Sequence, residues 1–210
     1  MSRRGALALA LSAALLTGCF TGERPHFNDD PFPTGAMTGD AAIDAILLKL
    51  DTPVAGPATA AYSVLTKFGN ITNSAAVVVD AGNRSVTIGN VRYIETPTAN
   101  STCSADGSVP CAQGLDASRV SDIGVTIDFY STEAATRLRR DARAKIAPST
   151  AHAETIAEQP ATCVDVPLPG GTAVYCALDN GMVAKLDDGD VAVNLTSLTG
   201  SADAALFVPA

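Results

Sequence analysis

The sequence has no tryptophan, only two histidines, and few aromatic residues among its 210 positions. So few aromatic rings leave little material for a carbohydrate-binding platform. General acid–base catalysis most often uses histidine, and neither the Gly-x-Ser-x-Gly nor the Ser-x-x-Lys pattern of acylating serines occurs here. The composition therefore predicts a protein that is not an enzyme and that holds no metal and no cofactor.

Positive charge is also scarce. The chain has 14 lysines and arginines against 22 aspartates and glutamates, which gives a net charge of −8. Without the two N-terminal arginines the charge becomes −10 (−8 − 2). Because binding to a phosphate backbone needs a basic surface, we exclude nucleic acid as a partner.

The N-terminus carries the strongest local pattern in the chain. Arg3 and Arg4 precede an uncharged apolar run at 5–16, which is typical of a secretory signal peptide and too short to span a bilayer. The run ends in Leu16-Thr17-Gly18-Cys19. This stretch resembles the lipobox of bacterial lipoproteins, and the resemblance implies cleavage before Cys19 and a diacylglyceryl group on its sulfur. The alternative is a plain secreted protein that has a cysteine at this position.

The sequence after the predicted signal peptide indicates a tether, a single domain and no further membrane helix. Residues 19–39 are punctuated by proline and glycine and lack apolar periodicity, which indicates a flexible tether. Residues 40–208 have the length of a single domain. No later apolar run reaches the roughly 20 residues of a membrane helix, so we expect an extracytoplasmic, water-soluble domain that is anchored to the cell membrane only through lipid on Cys19.

Hydrophobic periodicity predicts two helices separated and followed by strands. The first helix is expected at 40–50, with Asp40 as its N-terminal cap, and the second is expected at 132–146. The strands are expected at 60–68, 70–80, 84–88, 91–95, 124–130, 161–168, 172–178, 182–186 and 191–198. The residues between 96 and 116 and those around His152 are predicted to be loops. Short connections such as Gly89-Asn90 join antiparallel strands, whereas parallel pairs need long crossovers.

This order of elements predicts the fold class. One curved antiparallel sheet, a half-barrel in an α+β domain, would bury the apolar stripes of both helices if they lie across its concave face. Ile43, Ile46, Leu47 and Leu50 form the first stripe; the second contains Ala135, Leu138, Ala142 and Ile146.

Four cysteines remain after Cys19, and four cysteines allow three disulfide connectivities. A hairpin centred on Pro169-Gly170 places Cys163 directly opposite Cys176, at a separation that a disulfide requires. A turn at Asp106-Gly107 makes closure of Cys103 with Cys111 easy. We therefore predict these two disulfides, which an oxidising compartment permits.

Two charged stretches have alternative interpretations. The arginine-rich face of the second predicted helix is either a solvated surface or a contact for anionic lipid headgroups. The stretch Asp187-Asp188-Gly189-Asp190 lacks the ligand spacing of a calcium loop and is predicted to be a hairpin turn.

The order of elements, together with the cysteine-bracketed stretch from Cys163 to Gly181, resembles the LolA/LolB-like lipoprotein-carrier family and the related mycobacterial lipid-binding lipoproteins. The resemblance implies a protein that binds or carries a lipid or another hydrophobic ligand between sheet and helices. The residues expected to line that groove are Tyr62, Val64, Phe68, Val125, Ile127, Phe129 and Leu138. The alternative hypothesis is a structural or interaction lipoprotein of the cell envelope, which docks a protein partner and has no ligand cavity.

Overall fold

The computed structural model describes residues 30–54 and 56–209. The predicted signal peptide at 1–18 and the predicted lipidation site Cys19 lie outside the described residues. From Phe32 onward the chain forms one compact unit.

The first helix, α1, spans Ala41–Leu50 and begins where the sequence predicts. The Asp40 carboxylate accepts hydrogen bonds from the backbone N–H groups of Ala42 (3.1 Å) and Ile43 (3.4 Å), which satisfies donors that the first turn leaves free. The predicted apolar stripe at Ile43, Ile46, Leu47 and Leu50 is fully buried.

In the part of the chain that the structure describes, eleven antiparallel strands form a single open sheet. In chain order they are β1 (Ala58–Thr66), β2 (Ile71–Asp80), β3 (Asn83–Ile88), β4 (Val91–Glu95), β5 (Asn100–Ser104), β6 (Ala112–Gln113), β7 (Thr150–Ile156), β8 (Gln159–Leu168), β9 (Gly171–Ala177), β10 (Val183–Asp187) and β11 (Val191–Thr199). Their order in the sheet is β6-β5-β4-β3-β2-β1-β11-β10-β9-β8-β7. Two meanders, β1–β6 and β7–β11, are thus joined through the β1–β11 pair.

The second helix, α2, spans Thr132–Ala144, and both helices pack on the same end of the sheet. α1 contacts β7, β8 and β9, whereas α2 contacts α1, β8 and β9. The helix stripes and the inward side chains of the strands form one buried cluster. The predicted fold class, an α+β domain with one curved antiparallel sheet, is confirmed. Within the described residues, no helix is long and apolar enough to cross a membrane.

Shorter elements cover the other end of the sheet. A 3-10 helix at Ala117–Ile123 buries Val120 in the main cluster, and the Tyr93 hydroxyl donates to the carbonyl of Asp116 at 2.9 Å. A second 3-10 helix at Ala204–Phe207 packs against β3 and β4. The N-terminal meander is therefore covered without a long helix.

The strand predicted at 124–130 is wrong. This segment consists of turns that lead into α2, although its apolar residues alternate as in a strand. The Glu133 carboxylate accepts hydrogen bonds from the N–H (2.6 Å) and hydroxyl (2.9 Å) of Thr126, and the Phe129 N–H donates to the Thr126 carbonyl at 3.2 Å. Local side-chain bonds of this kind compete with strand pairing.

Three other boundaries differ from the prediction. β1 ends at Thr66, and Phe68 lies in the following turn with 94% of its surface exposed. α2 ends at Ala144, which leaves Ile146 exposed. The predicted loop at 96–116 contains β5 and β6, and the predicted loop around His152 contains β7.

Candidate functional site

The apolar residues expected to line a ligand groove are mostly part of the core. Tyr62, Val64, Val125, Phe129 and Leu138 are buried in the main cluster, Ile127 is half-buried against it, and Phe68 lies outside it. The rings of Tyr62 and Phe129 meet edge to face with centroids 5.2 Å apart, and the Tyr62 hydroxyl donates to the carbonyl of Val183 at 3.1 Å. These side chains are engaged with each other and with the backbone between the sheet and the helices.

Two arginines of α2, Arg137 and Arg139, are bound within the protein, whereas Arg140 and Arg143 stay exposed on the arginine-rich face. Arg139 is 3% exposed; it forms an ion pair with Asp51 and donates to the carbonyl of Ala36 at 2.8 Å. Arg137 binds Glu133 and Asp188, both at 2.9 Å. Guanidinium groups held in this way position α2 on the domain.

Asp188 is the centre of this charge network, and its side chain is completely inaccessible to solvent. One carboxylate oxygen accepts from the backbone N–H groups of Asp190 (2.8 Å) and Val191 (2.9 Å), and the other accepts from Arg137 (2.9 Å) and Arg140 (3.2 Å). Burial raises the pKa of Asp188, but the two backbone bonds and Arg137 outweigh burial, so the pKa lies below its usual value. The predicted hairpin turn is present, and it also anchors α2.

A second buried polar contact lies beneath α2. The Tyr175 hydroxyl donates to the Asp141 carboxylate at 2.6 Å, and both residues are buried. Burial, followed by the charge of Asp141, raises the pKa of Tyr175 well above its ordinary value. The phenol is therefore held as a neutral donor. Its partner Asp141 also accepts from Arg140 at 2.8 Å, which connects this contact with Asp188.

The segment just before α1 is attached to the same network. The Gly35 N–H donates to Asp51 at 3.0 Å, and the Thr38 N–H donates to Asp44 at 2.7 Å. Residues 35–39, which the sequence analysis places in the tether, are thus hydrogen-bonded to the domain.

A surface pocket of about 360 Å³ lies where α1 ends beside the β2–β3 turn. Its wall includes Arg84, which donates to Glu95 at 2.9 and 2.7 Å and forms an ion pair with Asp128. The guanidinium also lies 3.4 Å from the hydroxyl oxygen of Tyr130. The charged side chains of Arg84, Glu95 and Asp128 in the wall of this pocket are therefore paired with each other.

The two edges of the sheet differ strongly. At one edge, β6 has only two residues, and the disulfide between Cys103 and Cys111 closes the loop that leads to it. At the other edge, β7 has seven residues, of which the first six are exposed and the last is half-buried. Its pairing with β8 runs without a bulge from Thr150 to Ile156. Natural sheets usually shorten, bulge or charge their edges to prevent strand addition, and β7 is neither short nor bulged.

The hydrogen-bonding direction along β7 follows from its partner residues. Thr155 lies opposite Pro160, which has no N–H and cannot exchange two bonds with it. Hydrogen-bonded and non-hydrogen-bonded pairs alternate in an antiparallel ladder, so Ile156, Glu154, His152 and Thr150 bond to β8. The N–H and C=O groups of the remaining β7 residues point away from β8. These outward residues are Ala151, Ala153 and Thr155.

The side chains of β7 follow the same alternation. Lys49 of α1 donates to the Thr162 hydroxyl at 2.8 Å, so Thr162 and its β7 partner Ala153 lie on the helix face of the sheet. His152 and Glu154 therefore lie on the opposite face. His152 is 3.8 Å from Asp165, and Glu154 is 3.8 Å from Lys185, so neither contact is a hydrogen bond.

Both predicted disulfides are confirmed. Cys163 and Cys176 are directly opposite in the β8–β9 register, with Cα atoms 4.0 Å apart. Their sulfur atoms lie near the ligand atoms of His152 and Glu154. Because the two sulfurs are bonded to each other, they supply no thiolate to a metal at this place.

Sequence reasoning missed β7, the one strand with an open edge of this length among the described residues. A strand that is exposed on both faces has no apolar alternation to reveal it. Its turn, Ala157-Glu158, adopts positive φ values of 49° and 64° without the glycine or asparagine that usually marks such a hairpin.

The sequence matches no protein-family profile and no curated protein sequence. The fold is similar to that of MucB in a crystal structure, with a TM-score of 0.50 and 10% sequence identity over 82% of this chain. The chain spans 64% of the length of that MucB chain. A MucA/MucB complex from Pseudomonas aeruginosa is matched with a TM-score of 0.48 and 10% identity, over 80% of this chain and 61% of the other. The likeness to MucB is one of fold.

Proposed function

We propose that this protein is a lipid-anchored, extracytoplasmic docking protein that binds an extended protein segment by strand addition at β7. The observation that carries the proposal is the open edge of β7, where the alternate residues Ala151, Ala153 and Thr155 present backbone donors and acceptors that no other strand pairs with. A peptide that pairs with such an edge gains main-chain hydrogen bonds, while its alternate side chains read the two faces of the sheet.

The cysteines support the proposed location. Two disulfides persist only where the compartment is oxidising, outside the cytoplasm of most cells. The lipobox-like stretch ending at Cys19 would hold the domain at a membrane by acyl chains, and two such chains suffice for stable anchoring.

The core supports protein docking over lipid carriage. An acyl chain between the helices and the sheet would have to displace Tyr62, Phe129 or Leu138, which are buried in close contact. Interiors at native density do not offer that volume without a cost. The proposed role also needs no catalytic residue. Membership of the LolA/LolB-like family stays a prediction from sequence resemblance.

A pair of photo-cross-linking variants tests the proposal in cells. A photoreactive side chain at Ala151, on the open edge, should cross-link to a protein, whereas the same side chain at Gln113, on the short edge strand β6, should not. The Ala151 product should disappear when Ala153→Pro is added, because proline removes an outward donor and obstructs pairing.

Amide hydrogen exchange on membrane-isolated protein supplies the second readout. Docking at β7 should protect the amides of Ala151, Ala153 and Thr155, which point away from β8. The proposal fails if these three amides exchange as fast as in dilute purified protein. It also fails if the Ala151 adducts are lipids, which would favour the carrier interpretation.

A further inference from the structure

The open edge of β7 has a self-complementary sequence. Its seven residues, Thr-Ala-His-Ala-Glu-Thr-Ile, are centred on Ala153, which is also the middle one of the three outward residues. An antiparallel copy related by a two-fold axis at Ala153 therefore aligns every outward residue with another outward residue. Ala151 then faces Thr155 of the second copy, Ala153 faces Ala153, and Thr155 faces Ala151.

Resting on the proposed role of β7 as a strand-addition edge, we infer that the partner which fits this edge is β7 of a second copy of the chain, so that two domains join into one continuous sheet. Each of the three outward pairs would exchange two hydrogen bonds, which gives six in total (3 × 2). A two-fold axis produces the isologous contact that most homodimers use.

The charged side chains fit the same register. In the alternate, non-hydrogen-bonded positions, His152 lies opposite Glu154 of the second copy, and the two-fold axis repeats this pair. An imidazole N–H can donate to a carboxylate oxygen across such a pair. Both side chains are at least one-third exposed, and their contacts within the chain, to Asp165 and Lys185, are long at 3.8 Å. They are therefore able to turn toward the second copy.

Other registers use the edge less well. Shifting the axis by one residue to His152 places two histidines opposite each other and leaves Thr155 without an outward partner inside β7. On the helix face the Ala153-centred register brings together only Ala151, Ala153 and Thr155, which are small and exposed. This register thus pairs the outward backbone N–H and C=O groups. It places His152 opposite Glu154 on one face of the sheet and only small side chains opposite each other on the other face.

Sedimentation of the full chain with Cys19→Ala, which removes the predicted lipid attachment, tests the inference directly. The protein should form a concentration-dependent dimer, and Ala153→Pro should weaken dimerisation at least tenfold, because it removes the donor at the axis from both copies. The matched control Ala153→Ser keeps the N–H and should leave dimerisation within about twofold of the parent. Circular dichroism should show that both variants are folded.

A charge exchange tests the register. His152→Glu places carboxylates opposite each other and should weaken the dimer, whereas the double variant His152→Glu/Glu154→Lys restores opposite charges across the pair and should recover it. Ala153→Cys should form a disulfide-linked dimer, since Cα atoms of hydrogen-bonded partners lie about 5.5 Å apart, whereas Thr98→Cys, at an exposed position, should not.

A chain that stays monomeric at every attainable concentration overturns the inference. A dimer that Ala153→Pro leaves intact, or that the double charge variant fails to recover, also overturns it. If Ala151 still cross-links in cells to a different protein in the monomeric case, docking at β7 survives and only the identity of the partner falls.

Discussion

The N-terminal strands β1–β6 and the C-terminal strands β7–β11 belong to one sheet, but they are covered and terminated differently. The C-terminal half carries both long helices, held by buried charge pairs around Asp188 and Arg139, and ends in the open strand β7. The N-terminal half is covered by short 3-10 helices and ends in a two-residue strand beside a disulfide.

This difference indicates how an exposed edge strand is kept in place. β7 buries little surface of its own, so its position depends on β8 and on the hairpin that joins them. β8 in turn is fixed by the disulfide to β9 and by contacts with both helices. The disulfide and the two helices thus fix the strand on which the open edge depends.

The largest effect is expected from Asp188→Ala, which removes the anchor of α2. Arg137 and Arg140 lose a shared acceptor, and the N–H groups of Asp190 and Val191 lose theirs. Removing one partner from a buried charge pair leaves the other uncompensated, so the free energy of unfolding should fall by about 3 kcal/mol in urea denaturation.

Asp190→Ala is the matched control in the same turn. Its carboxylate is 70% exposed and lies 3.8 Å from Arg137 and 3.7 Å from Arg140. Exposed pairs of this kind contribute about 1 kcal/mol or less, so the variant should stay close to the parent. Equal losses from both variants would show that the turn, and not the buried carboxylate, holds the helix.

The two disulfides should contribute unequally. Cys163→Ala/Cys176→Ala opens a loop between cysteines 13 positions apart on β8 and β9, and Cys103→Ala/Cys111→Ala opens one between cysteines 8 positions apart near the short edge. Loop-closure entropy predicts that each disulfide stabilises the folded state by about 2–3 kcal/mol. The disulfide that closes the longer loop should contribute a few tenths of a kcal/mol more than the other. Thermal unfolding of both double variants measures the order, and a larger loss from the shorter loop would contradict it.

Proline substitution at neighbouring residues tests the hydrogen-bonding direction of β7. His152→Pro removes an N–H that points to β8 and leaves a carbonyl there unpaired, so the free energy of unfolding should fall by about 1–3 kcal/mol. Ala153→Pro removes an outward N–H and should change it by less than about 1 kcal/mol. Urea titration of both variants is the measurement, and a reversed order would mean that the outward set is wrong.

The sequence was sufficient for features that local geometry determines. The Asp40 cap, the apolar stripe of α1 and the pairing of Cys163 with Cys176 each depend on a spacing of a few residues or on one tight turn. The turn at Pro169-Gly170 fixes the register, and the register places the two cysteines opposite each other. Such features need no knowledge of the rest of the fold.

The features that the sequence did not reveal depend on distant partners or lack a pattern. Arg137 meets Asp188 across 51 positions, and Arg139 meets Asp51 across 88, so the sequence gives no local sign of these two ion pairs. The segment 124–130 has strand-like alternation, but hydrogen bonds to Glu133 keep it in turns. β7 gives no apolar signal because its side chains are exposed on both faces of the sheet.

The smallest effect concerns the cap of α1 and depends on pH. A hydrogen bond from Lys145, followed by one from the Ser149 hydroxyl, lowers the pKa of Asp40 from 3.8 to about 2. A carboxyl whose folded pKa is depressed stabilises the protein above its unfolded pKa, and this contribution disappears as the pH falls through the folded value. Stability due to Asp40 should therefore be complete at pH 5 and vanish between about pH 4 and pH 2.

Asp40→Asn should remove that pH-dependent part and lower stability at neutral pH by no more than about 1 kcal/mol, since asparagine remains a good helix cap. Chemical denaturation at pH 6 and pH 3 compares the two proteins, and the gap between them should narrow at the lower pH. Asp40 joins the start of α1 to the segment after α2 through Lys145 and Ser149. If the difference in free energy of unfolding between the two proteins does not change with pH, the geometry of the cap, and not the charge of Lys145, holds these two segments together.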